Sequence, residues 1–240
     1  MALLVYDLSL LPPGRSSMPE IVGSYIDVGR SQSGISSTVD ASGGGLVRVK
    51  YSNVRLDPTN GVAARAWLNL RNQLLGGVRK IVVPLLVDNI QPIALGAAQS
   101  GTGTFSDGAT FSDGGLFTTP NVTAYLTGAA AVNAGVVTLK VTSPLPLTGG
   151  EWFDLFHFTR LWRAYTITDI LSASAPDANG AITYSVAIRP PLRDAAADQS
   201  VANFIRPRCI MKLDTGSMMT VDFEKYWWAT PDVSFIESWP

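Results

Sequence analysis

With 240 residues, 46% of them hydrophobic and only 15% charged, the chain can bury the core of one large β domain or two smaller ones. A net charge of −1 at that hydrophobic content excludes bulk disorder and leaves no electrostatic footprint for nucleic acid or an anionic membrane, so neither is expected as a partner. The longest strongly apolar run, Ile81 to Val87, is interrupted by Pro84 and falls far short of the roughly 18 residues of a membrane-crossing helix.

In chain order, Met1 to Leu11 is apolar but lacks a basic start and is interrupted by Asp7, so it does not read as a secretion signal. Glu20 to Val28 reads as a strand, and Ser31 to Gly45 as a long Ser/Gly loop of the kind that tends to carry function. Leu46 to Tyr51 alternates, with Val47, Val49 and Tyr51 on one face and Arg48 and Lys50 on the other, the mark of a half-buried antiparallel strand.

Val62, Ala63, Ala66, Trp67, Leu70 and Leu74 then follow helical spacing, and Arg65, Asn69, Arg71 and Asn72 fall off that stripe. Thr59 or Asn60 stands where a cap belongs, and Gly76-Gly77 ends the helix. Val78 to Leu86 follows as a buried strand at a sheet edge, where Pro84 is tolerated.

Composition shifts at 95–121, which is mostly Gly, Ala, Ser and Thr and reads as a linker or solvent-facing loop. Phe105, Phe111 and Phe117 recur every six residues and would share a face of an extended chain. Strand candidates beyond it are Val122–Leu126, Val136–Val141, Glu151–Phe158, Leu161–Ile170, Ile182–Ile188, Phe204–Leu213, Met219–Phe223 and Val233–Ile236, with turns at Pro176–Gly180 and Asp214–Gly216. With 15 Asp to 4 Glu and 22 Gly, helix formers are scarce and turn formers abundant.

The expected fold is mainly β in two β-rich domains, a split barrel or sandwich with one amphipathic helix and then a small barrel or sandwich. The division is 1–94, with the helix near 62–75, a linker at 95–121, and 122–240, whose last strands are free to return to the N-terminal domain.

The catalytic inventory is thin. A triad or a Cys–His dyad could draw only on His157 and Cys209. His157 lies in the aromatic run Trp152–Phe158 and reads as a wall or rim residue. Cys209 alone makes no internal disulfide, consistent with synthesis in a reducing cytoplasm. Zinc needs several His or Cys ligands, and no phosphate-binding Gly-rich loop precedes a helix.

Asp107 and Asp113 sit in a duplicated Phe-Ser-Asp-Gly that reads as a pair of tight turns; a calcium-assisted hydrolase would need them to meet Asp154 or Asp177. No catalytic, cofactor or metal residue is therefore assigned, and the chain is expected not to be an enzyme. The residues singled out for partner binding are Phe105, Asp107, Phe111, Asp113, Trp227 and Trp228. The two tryptophans are adjacent, so on a strand they point to opposite faces and one of them is available as an interface anchor or a sugar-stacking platform.

Two stretches carry a family likeness. The first is Ala66-Trp67-Leu68-Asn69-Leu70-Arg71-Asn72-Gln73-Leu74-Leu75-Gly76-Gly77 running into Val78–Pro84. The second starts near Thr148-Gly149-Gly150, passes through Leu161-Trp162-Arg163-Ala164-Tyr165 and Asp177–Gly180, and ends in Ile182–Arg193. With short flanks they cover 62–86 and 145–193, and together they resemble distal tail proteins, tail-tip components of long-tailed (siphovirus) bacteriophages.

The resemblance implies a non-catalytic virion protein made in the host bacterial cytoplasm. Its N-terminal domain would close into a homohexameric ring joining the tail tube to hub and baseplate proteins. Its C-terminal domain, galectin-like or a small barrel, would point outward and could meet a host surface glycan. Alternatives are another hub or baseplate subunit, or a carbohydrate-binding β-sandwich using Trp227, Trp228 or the 105–117 segment.

Overall fold

The computed structural model describes the chain except residues 1–2, 24, 31–35, 41–42, 57–60, 88–89, 94–99, 104–116, 216, 218, 220, 222–228 and 240. The fold is mainly β, with two large sheets, one curled into a half-barrel and the other into a near-barrel, and, among the described residues, one α-helix. The chain divides into two units. The first comprises 1–86, 160–163 and 208–240, and the second 87–159 and 164–207.

The first unit opens with β1 (Leu4–Val5), β2 (Pro13–Ser16), β3 (Glu20–Val22), β4 (Tyr25–Arg30), β5 (Ser36–Asp40) and β6 (Leu46–Val54), followed by α1 (Val62–Leu74) and β7 (Ile81–Pro84). The second holds β8 (Ser100–Gly103), β9 (Phe117–Pro120), β10 (Thr123–Leu126), β11 (Val136–Thr142), β12 (Trp152–His157), β13 (Leu161–Ala173), β14 (Ile182–Arg189) and β15 (Ala202–Asn203), the first three residues of β13 counting with the first unit. The chain then returns to the first unit with β16 (Arg208–Leu213) and β17 (Val233–Glu237).

The half-barrel runs β1-β7-β16-β17-β6-β2, and β3 pairs with the other half of the same side of β6. Val47, Val49 and Tyr51 of β6 are buried and Lys50 is exposed, because pairing with β17 and with β2 and β3 fixes the register of the alternation. Tyr6, Tyr51 and Phe235 meet edge to face at 5.0–6.1 Å. The Tyr51 hydroxyl donates to the Pro84 carbonyl and the Tyr6 hydroxyl to that of Leu11, so both phenols enter the core with a partner. Trp67, Leu70 and Leu74 form the buried stripe of α1, and the Trp67 indole N–H donates to the Met219 carbonyl at 3.1 Å.

Helix α1 starts at Gly61, which is left-handed and makes no side-chain cap bond; Thr59 and Asn60, expected as caps, lie outside the described residues. At the other end Leu75 and Gly76 are left-handed, and Gly77 has φ +100 with its Cα side pressed on the Leu213 backbone, where a Cβ would meet the carbonyl oxygen at 3.2 Å.

The near-barrel runs β10-β11-β14-β13-β12-β15, and the isolated bridge Tyr125↔Val201 draws its first and last strands together. Two register shifts in β13, at Ile167/Asp169 and Ile170/Ser172, supply the local bend that curling needs. Leu126, Leu139, Phe153, Leu155, Tyr165 and Val186 are at the centre of its core. The expected turn at Pro176–Gly180 closes β13 onto β14, with the Asp177 carboxylate accepting from the N–H groups of Asn179 and Ala181 and Gly180 at φ +77.

Several expectations need correction. The strand expected at Glu20–Val28 is two strands with different partners, β3 on β6 and β4 on β5. The Ser/Gly loop expected at 31–45 contains β5, because Thr38 and Val39 favour extended backbone in spite of the surrounding composition. Within the expected linker 95–121, β8 and β9 form a ladder, since backbone pairing requires no apolar alternation.

Strand β7 is not at an edge: β1 and β16 flank it, and Pro84 is accommodated at its end, past the last β1 pair at Val82. The strand expected from Phe204 begins only at Arg208, after Pro207, and Ala202–Asn203 pairs separately with β12. Met219 and Val221 are outside any strand, and the rest of that candidate beyond Val221 lies outside the described residues.

Candidate functional site

Phe105, Asp107, Phe111, Asp113, Trp227 and Trp228, the residues singled out from the sequence, all lie outside the described residues. Asp154 and Asp177, the carboxylates they would have had to meet, are engaged locally. Asp154 is buried on β12 and accepts from the Asn203 side chain at 3.1 Å, while Asp177 holds its own turn and Lys140 at 2.7 Å. The Lys140 hydrogen bond and the turn's N–H groups lower the Asp177 pKa. Among the described residues, no three His, Cys, Asp or Glu side chains gather as a metal site.

His157 is buried rather than at a rim, its ring T-shaped against Tyr165. Its Nδ1 lies 3.3 Å from the Ala195 carbonyl and its Nε2 2.8 Å from the Tyr165 hydroxyl, which also accepts the Arg193 N–H at 3.1 Å. The Ala195 carbonyl can only accept, so Nδ1 carries a proton and donates to it, while Nε2 shares a hydrogen bond with the phenol. An imidazole so engaged ties β12, β13 and the 193–195 segment together and does not present a base to solvent.

A second buried group comes from residues that sequence spacing does not mark. In the first unit, Arg163 Nη1 donates to Glu237 Oε1 at 3.0 Å and to the Ser238 carbonyl at 2.9 Å, and Nε donates to the Arg160 carbonyl at 2.9 Å. Glu237 Oε2 accepts the Val47 N–H at 3.2 Å. Nearby, the Arg208 guanidinium sits 3.6 Å over the Trp162 ring and that of Arg160 5.4 Å from the Trp239 ring. Glu151 is the counterpart in the second unit. Its carboxylate accepts from the Thr148 N–H and hydroxyl and the Gly149 N–H at 2.6–3.1 Å, fixing the Thr148-Gly149-Gly150 turn in which both glycines have φ +95.

A cleft of about 630 Å³ opens to solvent in the first unit, where the end of α1 meets the end of β16. Arg71, Asn72 and the Leu75–Gly77 bend form one wall, and Lys212 to Thr215 with Ser217 form the other. The two walls are far apart in sequence, so no local pattern announces the cleft; the Gly76-Gly77 stop and the Asp214–Gly216 turn are only separately visible.

No protein-family model matches the chain, and neither does any curated protein sequence.

Proposed function

We propose that the chain is a non-enzymatic structural protein of a siphophage tail tip, a distal tail protein whose copies close into a hexameric ring between the tail tube and the hub. The observation that carries this reading is the paired sequence likeness, whose two stretches coincide with whole pieces of structure: 62–86 with α1 and β7, and 145–193 with β12 to β14.

Two further features support self-assembly. Among the described residues the β4–β5 ribbon pairs with itself and joins neither large sheet, and a free two-stranded ribbon is marginal in water, so the sheet edge of a second copy is a suitable cover. Large apolar side chains also stand in solvent, Phe158 at 93% and Val78 at 80% exposure, with Phe156 two residues before Phe158 also exposed. Aromatic side chains of this kind are preferred interface anchors.

Light scattering on the purified full chain, followed by negative-stain microscopy, tests the reading. The expected result is a mass near six times 25.6 kDa and closed rings. A monomer at every concentration, with no rings on the grid, overturns it.

A further inference from the structure

The cleft between α1 and β16 is rich in hydrogen-bond donors and positive charge that the fold itself does not use. Among the described residues the side chains of Arg71 and Lys212, on opposite walls, have no hydrogen bond or ion pair, and the one carboxylate lining the cleft, Asp214, is already met by Arg48 Nε at 3.0 Å and the Ser234 hydroxyl at 3.3 Å. Ser217 Oγ accepts the Ser234 N–H, which leaves its own proton to donate into the cleft. At Gly76 a Cβ would meet nothing within 4 Å, so the bend is open at that point.

The end of α1 contributes only about half a negative charge, less than the two cations beside it. We infer that this cleft binds a carboxylate group, with the planar fork of Arg71 taking both oxygens and Lys212 supplying a point charge. A phosphate is disfavoured by the same geometry. Helix N-termini are ready-made phosphate sites, and here the helix presents its carbonyl end instead. The inference does not depend on the proposed ring, because it rests on the two unpaired cations and the shape between them.

Calorimetric titration of the full chain at low ionic strength tests it with three probes: succinate, a terminally blocked Gly-Glu-Gly peptide, and inorganic phosphate. Saturable binding of succinate or the peptide is expected, weakened at least tenfold in both Arg71→Gln and Lys212→Gln. Tighter binding of the peptide identifies a protein-borne acidic side chain as the natural occupant, and tighter binding of succinate identifies a free small carboxylate. Both substitutions are at exposed positions, and an unchanged circular dichroism spectrum and melting temperature show that each variant is folded. No saturable heat, equal heats from sodium chloride, phosphate binding tighter than either carboxylate, or full binding by the folded variants overturns the assignment.

Discussion

Arg163 and Glu237 meet as an ion pair with 1% and 0% of their side chains exposed, 3.0 Å apart in space and 74 residues apart in sequence. Such a pair contributes little net stability over an apolar pair of the same shape, but removing one member strands a buried charge. Arg163→Ala and Glu237→Ala are each expected to cost about 3–5 kcal/mol in urea denaturation. The double variant should lose less than the sum of the two, by about 1 kcal/mol or more. Strict additivity would show that the charges do not interact.

Trp67 is the largest buried side chain of α1 and is held by a hydrogen bond to the Met219 carbonyl. Trp67→Ala should destabilise the protein by about 3–5 kcal/mol, through the cavity it leaves and the orphaned carbonyl. A loss under about 1 kcal/mol, which is typical of surface sites, would mean that the helix does not pack as described.

In the second unit the Tyr165 hydroxyl serves two partners, His157 Nε2 and the Arg193 N–H. Tyr165→Phe keeps the ring in the core and removes the hydroxyl that both partners meet, at an expected cost of about 1–3 kcal/mol. His157→Ala should likewise lower stability, while the assembled state is retained wherever the variant is folded. Loss of assembly in a folded His157→Ala protein, read by light scattering, would place that residue at an interface.

Acid should weaken the fold through named carboxylates. Hydrogen bonds lower the folded-state pKa of Asp7 (from Ser9), Asp177 (from Lys140), Asp198 (from the Gly128 N–H) and Asp232 (from Lys50). Depressed carboxyls add stability above the unfolded value of about 4, and that stability is lost as pH falls through the lower folded values. Tyr6 and Tyr51 act at the other end. Burial raises both phenols, so their contribution is complete below about 10 and is lost as pH climbs toward the folded values. Melting temperature against pH should therefore fall on both flanks, and Asp177→Asn with Asp232→Asn should flatten the acid flank alone.

Where one face of a strand is buried and the other wet, the pattern in the residues was enough: Val47, Val49 and Tyr51 announced β6, and Trp67, Leu70 and Leu74 announced α1. Ser- and Gly-rich pairing was not legible, because the ladders β4–β5 and β8–β9 rest on backbone hydrogen bonds that composition does not encode. Buried charge was equally silent. Arg163 reads as an ordinary surface cation until Glu237 is brought beside it, and Arg71 gives no hint of Lys212 across the cleft. The six residues chosen from the sequence fall in segments the structure does not describe, so the candidate site rests on different side chains.

The strand order β7-β16-β17-β6 has a consequence for synthesis on the ribosome. The middle of the half-barrel is built from residues 208–240, so until those emerge, β6 and β7 are separated by a gap two strands wide. The whole second unit leaves the exit tunnel before that gap can close. It can complete its own sheet while the first unit still waits with unpaired backbone, and a nascent chain that has emerged only as far as residue 207 would hold one finished unit and one unfinished unit with a strong tendency to stick.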